Sequence, residues 1–335
     1  MKKSGTQVSL HSKRDFKPVV WGQILIFNLL LVFLVTACGG SKEIVLGEPV
    51  IPTASTASEA QSESGQALKV AVLVRTSAAD AIQEWKPIAD YIGQETGRTF
   101  EVVPTLNRDM FETIENGDVD FVTTNPLSSV QLRRLYNTDF LATRVNKVEG
   151  TQFGGVIFVR KDSNIAALDD LIGKRGMSMK FGIAAGGYAY QTNLLQQNGI
   201  DPHTDFAEFV EAKSQNDIVL AVANGTTDVG FVRTGQLEKM DKEGTIRRDD
   251  FLVIQQIDDD HPYAHSTPLY PEWPFAALAH VESGLAQDVK VALLKLTEDH
   301  PSITTPRAVG FVEPLDYGPL ENLIETLQLP SWDAS

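Results

Sequence analysis

One cysteine, Cys38, stands in a chain of 335 residues. A single thiol forms no internal disulfide, so a cross-linked framework is excluded. Basic residues are scarce too: 29 Lys and Arg stand against 44 Asp and Glu, for a net charge of −15. A surface of that sign repels a phosphate backbone, and no basic patch interleaved with aromatics appears, which disfavours nucleic-acid binding. The six histidines are scattered, with no Cys/His spacing of the zinc type. The chain lacks G-x-S-x-G, H-E-x-x-H and a Cys–His pair. It also lacks the phosphate-loop and dinucleotide fingerprints. No catalytic residue, metal or cofactor is expected, and the chain reads as something other than an enzyme. What it does have is 42% hydrophobic content, ordinary for a globular protein, and length enough for two compact domains.

The single long apolar run lies near the start. Lys2, Lys3, Lys13, Arg14 and Lys17 precede an apolar stretch from Val19 to Leu34, followed by Val35-Thr36-Ala37-Cys38. A basic region, an apolar core and small residues before a cut make a secretory signal. The cysteine after small residues resembles a bacterial lipobox, which implies that residues 1–37 are a lipoprotein signal peptide and Cys38 is the lipidated first residue. The competing reading is an uncut transmembrane anchor, since a span needs ~20 residues. Trp21, Gly22, Gln23 and Asn28 interrupt that run. Residues 38–67 read as the lipidated cysteine and a flexible linker, rich in Ser, Thr, Ala, Glu and Pro with too little apolar periodicity for a core.

From Leu68 on, strand and helix patterns alternate, which predicts an α/β protein with mostly parallel sheets. LKVAVLV (68–74) has the β-branched character of a buried strand. The next segment predicts a helix with Ile82, Trp85, Ile88 and Ile92 on one face, begun or kinked at Pro87. Strands are expected at 100–105, 120–124, 154–162 and 177–183. Segments 112–126 and 220–234 share a layout: a helix end, Asn-Gly, an Asp three residues after the Gly (Asp120, Asp228), a strand and a polar loop. The repetition supports two similar lobes. It aligns Asn125 with Arg233, both after the carboxyl end of a strand, where open α/β sheets bind ligands.

Four features are candidates for a site. Ala184-Ala185-Gly186-Gly187-Tyr188 joins a strand to a helix; such a turn offers N–H groups to an anion, or is simply a tight turn that requires glycine. Arg233 and Arg75 both follow strands; each suits an oxyanion, or a nearby carboxylate. Asp258, Asp259, Asp260, His261 and His265 hold metal-type ligands, but Pro262 breaks helical presentation, so no metal site is expected. Tyr270, Trp273 and Phe275, spaced by prolines, form either a core strand or an aromatic wall.

The order of these segments resembles substrate-binding proteins of phosphate/phosphite/phosphonate ABC transporters, across roughly 68–327. The most specific parts are W-x-P-x-A-D-Y (85–91), N-G-x-V-D-F…N-P-L-S (116–128) and the turn at Gly187-Tyr188. A closer likeness is to the sensory domains of tetrathionate-sensor-like histidine kinases, through D-V-G-F-V-R-T-G-x-L-E (228–238) and H-S-T-x-L-Y-P-E-W-P-F-A (265–276). The resemblance implies a two-lobed periplasmic binding protein type II fold with a ligand cleft between the lobes. Lobe one would hold 68–157 and 268–335, and lobe two 158–267. Two departures matter. Ala184, Ala185 and Gly186 stand where phosphonate binders usually offer hydroxyls, and Arg233 stands near the place of an acidic residue that holds a ligand amine. A more anionic ligand is therefore expected than an aminophosphonate.

On this reading Arg75, Arg233 and the N–H groups of Gly186, Gly187 and Tyr188 meet the anion. Thr124, Asn125, Ser128, Thr234, His265 and Ser266 supply hydrogen bonds, and Tyr188 and Trp273 line the wall. The expected partners are a small anionic ligand, an ABC permease or a sensor kinase, and a membrane reached through the lipid anchor. The protein is expected to be a monomer in the bacterial cell envelope, facing periplasm or exterior.

Overall fold

The computed structural model describes residues 66–329. The expected signal peptide, the lipidation site Cys38 and the linker to residue 65 lie outside the described residues. Among the described residues no helix is long and apolar enough to cross a membrane.

The first lobe is built from β1 (Leu68–Leu73), α1 (Ala78–Thr96), β2 (Phe100–Thr105), α2 (Asn107–Glu115), β3 (Phe121–Thr123), α3 (Pro126–Tyr136) and β4 (Asp139–Val145). The chain then leaves through β5 (Gln152–Phe153) to build the second lobe: β6 (Gly155–Arg160), β7 (Arg175–Ser178), α4 (Tyr190–Gln197), α5 (Pro202–Asp205), β8 (Glu208–Glu211), α6 (Gln215–Ala223), β9 (Val229–Arg233), α7 (Gln236–Lys242) and β10 (Phe251–Ile254). It returns through β11 (Tyr270–Pro271) and finishes the first lobe with β12 (Pro274–Ala277), α8 (Ser283–Leu294), β13 (Gly310–Val312) and α9 (Gly318–Leu327). The first sheet has the order β13-β4-β12-β3-β1-β2, the second β10-β6-β9-β7-β8. β5 and β11 pair antiparallel as a ribbon at the crossovers, Phe153 opposite Tyr270. The position 157/158, expected to divide the lobes, falls inside β6, whose pairing with β9 in the second sheet begins at Gly155.

Both sheets are mixed rather than mostly parallel. β1 runs parallel to β2 and β3, and β7 to β8 and β9. β12 pairs antiparallel with β3 and β4, and β6 with β9 and β10. The reversal has a physical source: β6 and β12 follow crossovers, so each enters its sheet from the other lobe rather than from a helix on its own face.

Local chemistry sets the elements. Ser77 caps α1 by accepting the Asp80 N–H at 3.1 Å, and Gly97, with φ 67°, ends it. α1 continues past Pro87 and buries Ala81, Trp85, Ile88 and Ile92. Ile82, expected on that face, is 41% exposed; it stands about 100° from Ala81 round the helix, and Ala81 completes the 3.6-residue spacing. Strands bury alternate residues into different layers. Val156 and Phe158 of β6 pack with α6 and α7, and Ile157 and Val159 pack with Leu171 and Leu195. In the first lobe Phe121 joins Trp85, Phe275 and Phe311 on one face, while Val122 faces Met110 and Leu127 on the other. Between β6 and β7 stands a single 3-10 turn, Asp169–Leu171.

The repeated layout is real in three dimensions. Gly117 and Gly225 both take positive φ after their helices, at 69° and 71°. Asp120 accepts the Lys69 N–H at 2.7 Å, and Asp228 accepts the Arg175 N–H at 2.9 Å. In return the Asp120 N–H donates to Lys69 O and the Asp228 N–H to Arg175 O, each at 2.9 Å. β1-α1-β2-α2-β3 thus corresponds to β7-α4-α5-β8-α6-β9.

Candidate ligand-binding cleft

The carboxyl ends of the corresponding strands point at one another, and a cleft of about 420 Å³ lies where they meet. From the first lobe come Arg75 and Thr76 after β1, Asn107 after β2, Asn125 after β3, Trp273 and Arg307. From the second come Met179 and 183–187 after β7, Lys213 to Asn216 after β8, Arg233 at the end of β9, and Gln236. No Asp or Glu is among the lining residues, whereas Arg75, Lys213, Arg233 and Arg307 all are. In a chain of net charge −15 this makes the cleft a positive enclave, and low-dielectric walls focus such a field on an incoming anion.

Helix starts add to that sign. Ser214 caps α6 by accepting the Asp217 N–H at 3.2 Å, as Ser77 does for α1, and both helices begin at the cleft. First-turn N–H groups and the helix dipole favour negative charge there. The turn at Ala185–Ala189 is a π-helix, closed by a bond from Ala189 N to Ala184 O at 3.0 Å. Its glycines serve close approach rather than an unusual φ. A Cβ on Gly186 would stand 2.9 Å from Gly154 O and from the Phe153 ring, and one on Gly187 would stand 2.7 Å from Met179 Cγ.

Arg233 is not free. Its Nη2 donates to Glu272 Oε1 at 2.8 Å, its Nε forms an ion pair with Glu149 Oε1 at 2.8 Å, and its guanidinium lies 4.1 Å from the Phe153 ring centre. Glu272 is fully buried and takes Arg144 Nη2 on its other oxygen at 2.8 Å. Burial opposes its ionisation, but Arg144 and Arg233 together outweigh burial and hold its pKa down at about 2. Burial pushes Glu149 upward against the pull of Arg233. The reading of Arg233 as a carboxylate partner therefore describes its contacts, while its place in the lining keeps it at the cleft wall.

Arg75 is the contrast. It lies deep between the lobes yet remains open to water. Among the described residues no carboxylate is within ion-pair distance; its guanidinium lies 5.3 Å from the Trp273 ring centre, and Arg144 lies 4.5 Å from the same ring. Depth in the cleft and the like charges of Arg144, Arg233 and Arg307 push its pKa down to about 9. It stays a cation at neutral pH, and crowding by like charge is relieved when an anion arrives.

Of the other expected residues, Asn125, Gly186, Gly187 and Trp273 line the cleft. Asn125 caps α3: its Oδ1 accepts Ser128 N–H at 3.1 Å and its Nδ2 donates to Ser128 Oγ at 2.9 Å. Ser128 lines a side pocket with Phe111 and Phe181. Thr124 and Thr234 are fully buried and do not line the cleft. Three residues are placed elsewhere. The Tyr188 hydroxyl meets His203 Nε2 at 2.9 Å, and its ring packs on Phe181 and Phe209. His265 faces Thr267 O at 2.8 Å and Asp259 at 3.1 Å. Ser266 Oγ accepts Ile157 N–H and donates to Ile254 O. Ser266 pins the second crossover to β6, and the ring of His265 is taken up by Thr267 O and the Asp259 carboxylate. Lys213, Ser214, Arg307 and Asn107 were not expected. S-x-x-D at Ser214-Asp217, matching Ser77-Asp80, was the available signal for a helix starting there.

Residues 70–317 match the family described as ABC transporter, phosphonate, periplasmic substrate-binding protein. The chain belongs to this family. Solved structures with the same fold include a Xanthomonas citri protein bound to ATP, at a TM-score of 0.64 and 18% identity over 78% of this chain and 98% of that one. PhnD1 from Prochlorococcus marinus in complex with methylphosphonate gives a TM-score of 0.61 and 18% identity over the same shares. These are two-lobed type II periplasmic binding proteins, and this member shares their architecture. It is also 34% identical, over 229 residues, to the tetrathionate sensor histidine kinase TtrS of Salmonella typhimurium strain LT2. That match takes in 67% of this chain and 38% of the kinase.

Proposed function

We propose that this protein is a lipid-anchored, extracytoplasmic solute-binding protein that captures a small oxyanion of phosphorus or sulfur and presents it to an ABC permease. One observation carries the reading: an acidic chain lines the cleft where its two lobes meet with four cations and no carboxylate, and two of those cations, Arg75 and Lys213, have no ion-pair partner among the described residues. Family membership supports solute binding as such. Arg75 is the primary anion contact on this reading, since Arg233 is held by Glu272 and Glu149. The ribbon of β5 and β11 is where the lobes turn toward one another as the ligand is enclosed. No bond is made or broken; the chain's task is recognition. Cys38 would hold the domain near the membrane through its lipid.

The test is calorimetry and thermal unfolding of the purified full-length protein with sulfate, phosphate, phosphite, methylphosphonate, thiosulfate and tetrathionate. One anion saturating at ~100 times its Kd should add about 2.7 kcal/mol. Arg75→Ala should remove most of that shift. Binding that survives Arg75→Ala unchanged would sink the assignment.

A second reading is favoured by the identity to the tetrathionate sensor kinase: a module whose closed form is read by a membrane histidine kinase. The two separate in cells. Deleting the gene should stop uptake of the anion on the first reading, and should stop an anion-dependent phosphorylation response with uptake intact on the second.

A further inference from the structure

The four cations of the cleft are not equivalent. Arg233 has Glu149 and Glu272 at 2.8 Å, and Arg307 has Glu84 at 3.4 Å. Arg75 and Lys213 have no carboxylate within ion-pair distance among the described residues, and both are exposed. They stand on opposite walls of one cavity. Arg75 follows β1 of the first lobe, and Lys213 follows β8 of the second, directly before the cap of α6. Two positive charges, one from each lobe, are therefore left without a counter-charge in a space that contains no acidic lining residue.

We propose that the ligand is a dianion, that Arg75 takes one of its charges and Lys213 the other, and that Lys213 is the residue through which the second lobe senses the second charge. This rests on the anion-binding reading above. The two cations suit different tasks. Arg75 lies over the Trp273 ring, which positions a planar guanidinium in the open cleft. Lysine is a compact charge on a flexible stem, suited to a contact that forms as the lobes approach. A monoanion at Arg75 leaves Lys213 in water, with little gain from closing. A dianion offers a residual charge whose attraction for Lys213 rises as separation falls. Only a ligand with differential affinity for the closed form shifts its population.

The test uses ethanesulfonate and ethane-1,2-disulfonate, fully ionised probes with one and two fixed charges, with sulfate as a compact dianion alongside. Titration calorimetry on the full-length protein gives each Kd, and small-angle scattering reports closure. The disulfonate or sulfate should bind about tenfold or more tightly than the monosulfonate, as expected for one added charge-assisted contact. Lys213→Met should weaken the dianions far more than the monosulfonate, bringing that ratio toward one, and should abolish the contraction that the dianion produces. Lys213→Arg should restore the ratio. A ratio unchanged in Lys213→Met overturns the proposal. So does a ratio of one in the parent protein when the monosulfonate binds and needs Arg75; the anion-binding reading would then stand. Absence of binding by all three probes and by every anion of the panel above would remove that reading, and this proposal with it.

Discussion

Glu272 and Arg233 join the two lobes: the carboxylate, next to the β11 end of the crossover, accepts the Arg233 Nη2 from the end of β9 at 2.8 Å. Because the other oxygen of Glu272 accepts Arg144 of β4, one buried carboxylate ties the first sheet, the second sheet and the crossover together. Glu149, from the loop before β5, completes two carboxylates for two guanidiniums. Within this group charge is balanced, which is why Arg75 and Lys213, rather than Arg233, are left for a ligand.

Removing Glu272 should therefore be severe. Glu272→Ala leaves Arg144, 1% exposed, without a carboxylate partner, and leaves Arg233, 13% exposed, with Glu149 alone. Breaking a buried pair of this kind costs about 3–5 kcal/mol. Chemical denaturation at neutral pH should show a loss of that size; a loss under 1 kcal/mol would mean that water or lobe movement solvates Arg144.

The same carboxylate predicts an acid limb. Its pKa falls from 4.5 in the reference state to about 2 in the fold. A depressed carboxylate contributes stability that is fully present above the higher value and is lost as pH falls toward the lower one. Stability should decline between pH 4.5 and 2, and Glu272→Gln should flatten that part of the profile. Glu149 acts with the opposite sign, since burial raises its pKa, so Glu149→Gln should not flatten the acid limb.

Trp273 offers a direct optical report. Its ring centre lies 5.3 Å from the Arg75 guanidinium and 4.5 Å from that of Arg144, and the residue is 7% exposed. An anion that draws Arg75 away from the ring should change tryptophan emission, and Trp273→Phe should remove the change while the ligand still binds. Arg75→Ala should weaken binding by about 100-fold, in line with ~2–3 kcal/mol for a charged hydrogen bond.

The anchor is tested separately. Cys38→Ser should move the protein from the membrane fraction to the soluble fraction and abolish incorporation of a fatty-acid label. A protein that stays in the membrane without the label would instead favour an uncut apolar anchor at 19–34.

Much of this arrangement was legible in the sequence because it is local. Strand–loop junctions place Arg75, Asn125 and Arg233 at the carboxyl ends of strands, and periodicity with Asn-Gly turns locates those ends. What periodicity missed is set by distance along the chain. Glu149 and Glu272 reach Arg233 only after the crossovers bring the lobes together, so nothing near Val229–Arg233 foretold that this arginine is paired. His265 and Ser266 look like ligand donors, yet the backbone of β6 needs partners where the crossover passes it, and Ser266 and Thr267 supply them while His265 bonds Thr267 O and Asp259. Lys213 was hidden in the other direction: a lone lysine before S-x-x-D reads as a solvated cap, and only the facing wall gives it meaning.

The turn of small residues is the last place where packing and function meet. Gly186 has no need of a positive φ, but a Cβ there would press on the Gly154 carbonyl and the Phe153 ring at 2.9 Å. Gly154 lies between β5 and β6, at the crossover itself, so the methyl group would push the turn away from the hinge rather than into open space. Backbone cannot step aside as a flexible side chain can, and overpacking of this kind costs about 1–3 kcal/mol. Gly186→Ala should lower the unfolding free energy by that amount and should shift the open and closed populations seen by scattering. At Gly187 the neighbour is Met179, a pliable side chain, so Gly187→Ala should cost less. A Gly187→Ala loss equal to or larger than that of Gly186→Ala would show that the turn itself, not its contact with the crossover, sets the requirement for glycine.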